Sequence, residues 1–300
     1  MTYSDPISGI WTAIATPFLK TGEIDWQGFE ALLETQRTAG IDGVVVSGTT
    51  GEAPTLSIQE KLSLVRKARA ILPECIRIMA GTGNNNTGQS VELSKLAVDA
   101  GADSLLIVTP PYNKPNLEGL KTHFSMIANA ISAPICLYHV PGRTALSLSA
   151  DEMASICKID SVQAIKEASG DISLLNSTVN SSKVPVLSGD DPTFLASLAV
   201  GSHGVISVIT NIFPEEFIRL RSFFLQGDHQ KALKIHNALL PVIDMMFCEP
   251  NPAPLKAALH IRGICADYLR PPLVSVTKEN YLKIEKIMDQ AQTELKDILT

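Results

Sequence analysis

Lys166 is the residue whose position most needs a chemical explanation, because it ends an apolar stretch that starts at Val162. An ammonium group at the end of a buried strand is costly unless the amine is used or reaches water. A desolvated amine loses proton affinity, and its neutral fraction can attack a carbonyl carbon to form a Schiff base. The alternative is a strand-end lysine that reaches water or pairs with Glu167, and this position alone does not decide between the two.

Tyr138 and Arg143 supply two further groups that such chemistry uses. Tyr138 ends the preceding apolar stretch, and its phenol can move the protons that carbonyl addition and loss of water require. Arg143 follows a Pro-Gly turn, and its planar guanidinium suits bidentate binding of a carboxylate. The alternatives are a tyrosine that bonds its hydroxyl to the backbone and an arginine in a surface ion pair.

Residues 48–51 read Gly-Thr-Thr-Gly, a pair of hydroxyls bracketed by glycines. The backbone amides and the hydroxyls of Thr49 and Thr50 suit a small carboxylate or a proton relay, although such a loop is generic. The spacing of a Walker loop is absent, and Gly81-Thr82-Gly83 lacks the last glycine of a dinucleotide fingerprint. The segment therefore indicates an anion or proton site rather than a nucleotide site.

Apolar stretches of strand length alternate with helical patterns and must position these groups. The predicted strands span residues 9–15, 43–47, 77–81, 104–109, 135–139, 162–166, 184–188 and 204–208. Continuous apolar strands covered by helices indicate a parallel sheet. Eight such units favour an α/β fold of the (β/α)8 TIM-barrel type over an open doubly wound sheet, and the active site of a barrel lies at the C-terminal ends of its strands.

Strand alternation predicts the orientation of the lysine. It places Val162, Ala164 and Lys166 on one face and Ile165 with Glu167 on the other. The small Ala164 beneath Lys166 leaves room for the long side chain inside the barrel mouth.

The chain divides at about residue 226. Residues 1–226 are predicted to form the catalytic barrel, and residues 227–300 a C-terminal extension of three helices over 228–247, 251–267 and 277–299. Three helices are too few to bind a substrate alone. We expect them to pack against the barrel or against another subunit.

Composition excludes several functional classes. The net charge is −6, and the absence of a basic run argues against nucleic-acid binding. The five cysteines form no CxxC pair and the histidines lack ligand spacing, so we expect no metal, no cofactor and free thiols. Residues 1–6 lack a secretory signature and no apolar run is long enough to span a bilayer, so we expect a cytoplasmic protein with no membrane partner.

Taken together, these motifs resemble the pyruvate-dependent class I aldolase family, which includes N-acetylneuraminate lyase and dihydrodipicolinate synthase. The likeness runs over nearly the whole chain and is greatest to the synthase branch, because of Thr49-Thr50 and Arg143. Its markers are Gly48-Thr49-Thr50-Gly51-Glu52, Ala80-Gly81-Thr82-Gly83, Thr109-Pro110-Pro111-Tyr112-Asn113, Tyr138 with Pro141, Ile165-Lys166-Glu167, Gly189-Asp190-Asp191 and Gly204-Val205-Ile206-Ser207.

The resemblance implies condensation of pyruvate with L-aspartate 4-semialdehyde to 4-hydroxy-tetrahydrodipicolinate, a step of lysine and diaminopimelate biosynthesis. It implies that Lys166 forms the imine and that Tyr138, Thr49 and Tyr112 relay protons. Tyr112 would come from the neighbouring subunit of a homotetramer built as a dimer of dimers. The substrate-binding residues that it implies are Thr50, Arg143, Ile206 and Gly189.

The resemblance also bears on regulation. Lysine-inhibited members of the family line an allosteric pocket with histidines, a glutamate and a tyrosine. Here Ile58 and Lys61 stand at the histidine positions, Gln89 at the glutamate and Pro111 at the tyrosine, and only Asn85 matches. A cationic effector thus loses a carboxylate and meets a like charge, so we predict weak or absent inhibition by L-lysine.

Three alternatives stay open at this point. The chain could act on a sialic acid or another sugar acid, as other members of the family do. It could be a sensor that binds pyruvate without catalysis, although Lys166 and Tyr138 are both present. A phosphate-binding barrel enzyme is disfavoured because the loops after strands 7 and 8 lack a glycine-rich nest.

Overall fold

The computed structural model describes residues 7–299. The prediction that residues 1–6 lack a secretory signature therefore lies outside the described residues. Eight parallel strands close into a barrel in sequence order, which confirms the predicted TIM-barrel fold. The strands are β1 (Gly9–Ala13), β2 (Gly43–Val46), β3 (Arg77–Gly81), β4 (Ser104–Val108), β5 (Ile135–His139), β6 (Val162–Glu167), β7 (Val186–Ser188) and β8 (Gly204–Ser207).

Helices cover the outside of the barrel. They are α1 (Trp26–Ala39), α2 (Ile58–Ile71), α3 (Thr87–Asp99), α4 (Leu117–Ala128), α5 (Pro141–Thr144), α6 (Ala150–Ile156), α7 (Ile172–Ser181), α8 (Phe194–Ala199), α9 (Pro214–Leu225), α10 (His229–Met245), α11 (Ala253–Ile261) and α12 (Lys278–Leu299). The Ser-x-x-Glu patterns at residues 57–60 and 149–152 predict capping boxes, and both are present. Each serine accepts from the backbone of the glutamate three residues on. Gly40 ends α1 in the left-handed conformation, as such a glycine commonly does.

The local boundaries differ from the predictions in two instructive places. The apolar pattern predicts a helix over residues 91–100, but α3 begins at Thr87, because Asn86 caps it by accepting from the backbone amide of Gln89. α11 ends at Ile261 rather than continuing to residue 267, since Gly263 adopts a left-handed φ of 70° just beyond the last turn.

The core has two layers on either side of the strands. The outer layer lies between strands and helices and includes Phe124 and Ile165. The inner layer fills the barrel and includes Trp11, Met79 and Ala164. The C-terminal helices belong to the outer layer. Helix α10 packs against α8 and α9, and helix α12 packs against α10 and α11, so the extension packs on the barrel. The predicted boundary after residue 226 falls in the turn between α9 and α10.

The predicted face of Val162 is wrong. Val162 pairs with Ile135, but the next pair of the ladder joins Cys136 to Ala164, so Gln163 is an extra residue in β6. This bulge moves Val162 into the outer layer, whereas Ala164 lies in the inner layer as expected. The alternation from Ala164 to Glu167 is regular, which keeps Lys166 on the side of the barrel interior.

Within residues 7–299, no helix is both long and apolar enough to cross a membrane.

Candidate active site

Lys166 lies at the C-terminal end of β6 and is 6% exposed. It pairs with Tyr138 of β5 on one side and with Leu187 of β7 on the other. The Lys166 Nζ lies 4.4 Å from the centroid of the Tyr138 ring. The two residues that the sequence singled out for carbonyl chemistry are therefore neighbours at the mouth of the barrel.

Gly189 makes room for this lysine at the end of β7. A Cβ at Gly189 would lie 2.7 Å from Lys166 Cε and 2.5 Å from the Cβ of Ala168, closer than non-bonded carbons approach. The methylene chain of Lys166 thus passes directly over the Gly189 backbone, and a larger residue there would displace the amine.

Glu167 does not pair with Lys166. Its side chain is on the opposite face, where the carboxylate Oε1 lies 3.1 Å from His139 Nδ1, and both side chains are buried. His139 Nε2 accepts the Leu148 amide hydrogen at 3.1 Å, which places the ring hydrogen on Nδ1, facing Glu167. Among residues 7–299, Lys166 has no carboxylate partner, so nothing in the described chain holds its amine as a structural ion pair.

The nearby thiol of Cys136 is not a competing nucleophile. Burial raises the pKa of Cys136 to about 12, against the opposing attraction of Lys166. The thiol is therefore protonated at neutral pH, and the amine is the better candidate for attack on a carbonyl.

The loop after β2 carries the two threonines. It begins with Ser47 at a φ of 56° and ends with Glu52 at a φ of 55°, which folds it into a tight turn. Gly81 of β3 lies against it so closely that a Cβ would meet the Ser47 carbonyl oxygen at 2.3 Å. Thr49 is half-buried, whereas Thr50 is 2% exposed.

A cavity of about 540 Å³ opens at the C-terminal ends of the strands. Thr49, Tyr138 and Arg143 line it, together with Lys61, Asn85 and Pro111. Arg143 is exposed on the short helix α5 and has no carboxylate partner within the described chain, so its guanidinium is free for a ligand. A larger depression between α1, α9 and α12 contains none of the predicted site residues.

The remaining predicted residues lie at or beyond the rim. Ile206 is buried in the inner layer at the end of β8, and the loop that follows is held by Asp191, whose Oδ2 accepts from the Val208 and Ile209 amides at 2.9 and 3.0 Å. Tyr112 is 89% exposed with a left-handed φ of 73°. Pro111 lines the cavity, whereas Tyr112, Lys166, Thr50 and Ile206 do not. The last three are buried, but Tyr112 faces solvent, so it is the exposure of Tyr112 that separates it from the other site residues.

The sequence did not predict a role at the site for two residues that lie next to it. The Asn251 Nδ2 donates to Thr50 Oγ1 at 3.1 Å, and Lys256 forms a fully buried ion pair with Glu52. The sequence predicts Asn251 only as the first residue of the helix over 251–267. Lys256 is the only lysine, arginine or carboxylate residue of Ala253–Ile261, and a lone charge in an otherwise apolar helix indicates a side chain that needs a partner when buried.

The site is suited to reactions of carbonyl compounds that pass through an imine. The phenol of Tyr138, the guanidinium of Arg143 and the hydroxyl of Thr49 line one cavity, and the buried Lys166 amine lies against the Tyr138 ring. Among the described residues, no three side chains of histidine, cysteine, aspartate or glutamate are grouped as a metal site requires.

Comparison with known proteins identifies one family. The model of the dihydrodipicolinate synthetase family matches residues 6–291. The chain is 40% identical over 281 residues to the 4-hydroxy-tetrahydrodipicolinate synthase of Methanocaldococcus jannaschii, a match that covers 93% of this chain and 97% of the relative.

Solved structures agree with this match. The 4-hydroxy-tetrahydrodipicolinate synthase of Methylacidiphilum fumariolicum SolV superposes with a TM-score of 0.94 at 38% identity, covering 97% of this chain and 98% of that one. The chloride-inhibited dihydrodipicolinate synthase of Acinetobacter baumannii, solved in complex with pyruvate, gives 0.92 at 38% identity over 95% and 99% of the two chains.

Proposed function

Because the chain belongs to the dihydrodipicolinate synthetase family, we propose that it condenses pyruvate with L-aspartate 4-semialdehyde through an imine on Lys166. The observation that carries this proposal is the buried, unpaired amine of Lys166, 4.4 Å from the ring of Tyr138. The pyruvate complex of the Acinetobacter baumannii relative supports pyruvate as the first substrate.

The first half of the reaction forms a nucleophile. The neutral Lys166 amine attacks the ketone carbon of pyruvate, and the resulting carbinolamine loses its hydroxyl as water to leave the imine. Tyr138 supplies the proton that departs with the hydroxyl, and Thr49 passes protons between Tyr138 and Tyr112. Thr50 and the backbone around Ile206 hold the pyruvate carboxylate. Loss of a methyl proton from the imine then gives the enamine.

The second half forms the carbon–carbon bond. The enamine carbon attacks the aldehyde of L-aspartate 4-semialdehyde, whose carboxylate is bound by Arg143. The aldehyde oxygen takes up a proton and becomes the 4-hydroxyl group. The amine of the second substrate then attacks the imine carbon, which closes the ring and releases the Lys166 amine. One water is lost over the whole cycle, at imine formation.

Borohydride trapping with pyruvate tests the imine. Reduction in the presence of pyruvate should add the mass of pyruvate minus one oxygen atom, and peptide mapping should locate it on Lys166. Lys166→Met should abolish the adduct. Lys231→Met, which removes an exposed lysine on α10, should leave it unchanged. A wild-type protein that forms no adduct would remove the mechanism.

Arg143 separates this proposal from action on a sugar acid. Arg143→Ala should reduce kcat/KM for aspartate semialdehyde by about 10- to 100-fold, the loss expected for charge-assisted hydrogen bonds, with imine formation unchanged. Two results would refute the assignment of the second substrate. One is an Arg143→Ala protein with undiminished activity on aspartate semialdehyde, and the other is a wild-type protein that turns over a sugar acid faster than aspartate semialdehyde.

The proposed role of Tyr112 requires a second copy of the chain. Its exposure supports a tyrosine that completes the site of a neighbouring subunit, within the proposed homotetramer. Native mass spectrometry tests this assembly, and an active monomer would contradict it.

A cytoplasmic location stays a prediction.

We propose weak or absent inhibition by L-lysine because of the charges that line the cavity at the C-terminal ends of the strands. Within the described part of the chain, its lining contains Lys61 and Arg143 and no acidic residue. Burial lowers the pKa of Lys61, which has no carboxylate partner among residues 7–299. The cation of L-lysine therefore finds no counter-charge there.

A further inference from the structure

The C-terminal segment reaches the catalytic end of the barrel at Asn251, a residue that the proposed reaction does not use. Asn251 immediately precedes Pro252 and α11, and only 7% of it is exposed. Its Nδ2 donates to Thr50 Oγ1 at 3.1 Å, across 201 positions of the chain. Helices that looked unrelated to the site thus contact one of its hydroxyls.

The direction of this hydrogen bond decides what Thr50 can do. A hydroxyl has one hydrogen to donate and two lone pairs to accept with. Asn251 occupies a lone pair, so the hydrogen of Thr50 stays available. No other partner of this hydroxyl exists among the described residues, and Thr50 is 2% exposed. A buried hydroxyl with an unused hydrogen is suited to donate to an anion.

We propose that Asn251 is a positioning residue, which commits the Thr50 hydroxyl to donate its hydrogen to the carboxylate of pyruvate. If the hydroxyl were free to rotate, its hydrogen could also point away from the substrate. By donating to Thr50, the Asn251 side-chain amide keeps the hydroxyl hydrogen from pointing at Asn251 and leaves it for an acceptor elsewhere, such as the substrate. This inference rests on the proposed function, because it takes the ligand of Thr50 to be pyruvate.

A second bridge fixes the segment that carries Asn251. Lys256, one turn into α11, is completely buried and forms an ion pair with Glu52. Glu52 is the last residue of the loop after β2, the loop that contains Thr50. The other Glu52 oxygen, Oε2, accepts from the Arg270 amide at 3.1 Å. Lys256 Nζ also donates to the Tyr268 carbonyl oxygen at 2.7 Å. The loop is therefore tied to the C-terminal segment at both Thr50 and Glu52, which fixes the distance between Asn251 and its acceptor.

Substitution by a near-isostere tests the polarity of the contact. In Asn251→Asp the new carboxylate would accept the Thr50 hydrogen and would also repel the carboxylate of pyruvate. The pyruvate concentration that half-saturates borohydride trapping should rise about tenfold or more, and less in Asn251→Ala, which only removes the donor. KM for the aldehyde should stay unchanged. Asn237→Asp makes the same change on the exposed face of α10 and should match wild type.

A double-mutant cycle shows whether Asn251 acts through Thr50. In a Thr50→Val background there is no hydroxyl to orient, so Asn251→Ala should add little to the pyruvate requirement. Additive effects of the two substitutions would overturn the proposal. So would an Asn251→Asp protein whose half-saturating pyruvate concentration stays within twofold of wild type.

Two further outcomes are distinguishable. If Asn251 had a merely structural role, its substitution would lower the melting temperature and would reduce kcat together with kcat/KM for both substrates. This pattern would also overturn the proposal. Failure of wild-type protein to form any pyruvate adduct would refute the proposed function itself. Normal trapping in wild type with unchanged trapping in the Asn251 variants would refute this inference alone.

Discussion

Replacing Lys256 by methionine tests whether the C-terminal helices are held to the site loop by a desolvated ion pair. The side chains of Lys256 and Glu52 are both 0% exposed, and Lys256 Nζ lies 4.1 Å from the centroid of the Phe18 ring. Burial lowers the pKa of Lys256, and the attraction of Glu52 opposes that shift. Lys256→Met keeps most of the side-chain volume but leaves the Glu52 carboxylate buried without its cation.

The expected loss follows from this burial. Removing one partner of a buried ion pair costs about 3–5 kcal/mol, because the remaining charge cannot return to water. An unfolding entropy of about 2.1 cal/mol/K per residue, over 300 residues, converts this to a fall in melting temperature of about 5–8 °C. Lys67→Met is the matched control, since the Lys67–Glu30 pair is 35% and 46% exposed and should contribute less than about 1 kcal/mol.

Scanning calorimetry at one fixed protein concentration measures both variants, because assembly makes melting temperatures depend on concentration. Lys256→Met/Glu52→Gln removes both charges and keeps an acceptor for the Arg270 amide. It should recover at least half of the loss. A single variant within 1–2 °C of wild type, or a double variant as unstable as the sum of the two single ones, would refute a strong buried pair.

Three other outcomes are expected. Tyr138→Phe should lower kcat by about 10²–10⁴-fold without loss of folded structure by circular dichroism, because the phenol moves protons; unchanged kcat would exclude it from the relay. L-lysine should leave the steady-state rate unaffected up to millimolar concentration, and low-micromolar inhibition would contradict the charge argument at Lys61. Burial lowers the pKa of His123 to about 4, below its unfolded value, so the unfolded state binds more protons between pH 6.5 and 4. The contribution of His123 to stability should therefore fall by about 2–3 kcal/mol between pH 7 and 4.5, measured by urea unfolding as the difference between wild type and His123→Gln.

Much of the fold could be predicted from the sequence, because its signals are local. Apolar strands, capping boxes at Ser57 and Ser149 and a terminal glycine at Gly40 act over a few residues. Counting eight units then fixed the barrel, and the barrel put Lys166 and Tyr138 at the same end of the sheet. The pairing of these two residues needed no information beyond strand order and strand ends.

The tertiary structure decided what depends on long-range contact or on a single irregularity. One extra residue in β6 turned Val162 to the outer layer, which alternation alone could not reveal. Asn251 meets Thr50 from 201 positions away, and Lys256 meets Glu52 from a similar distance. Periodicity and caps report only on neighbours in the chain. Partners this far apart are brought together by closure of the barrel and by packing of the C-terminal helices against it, and the same closure removes Lys256 from water.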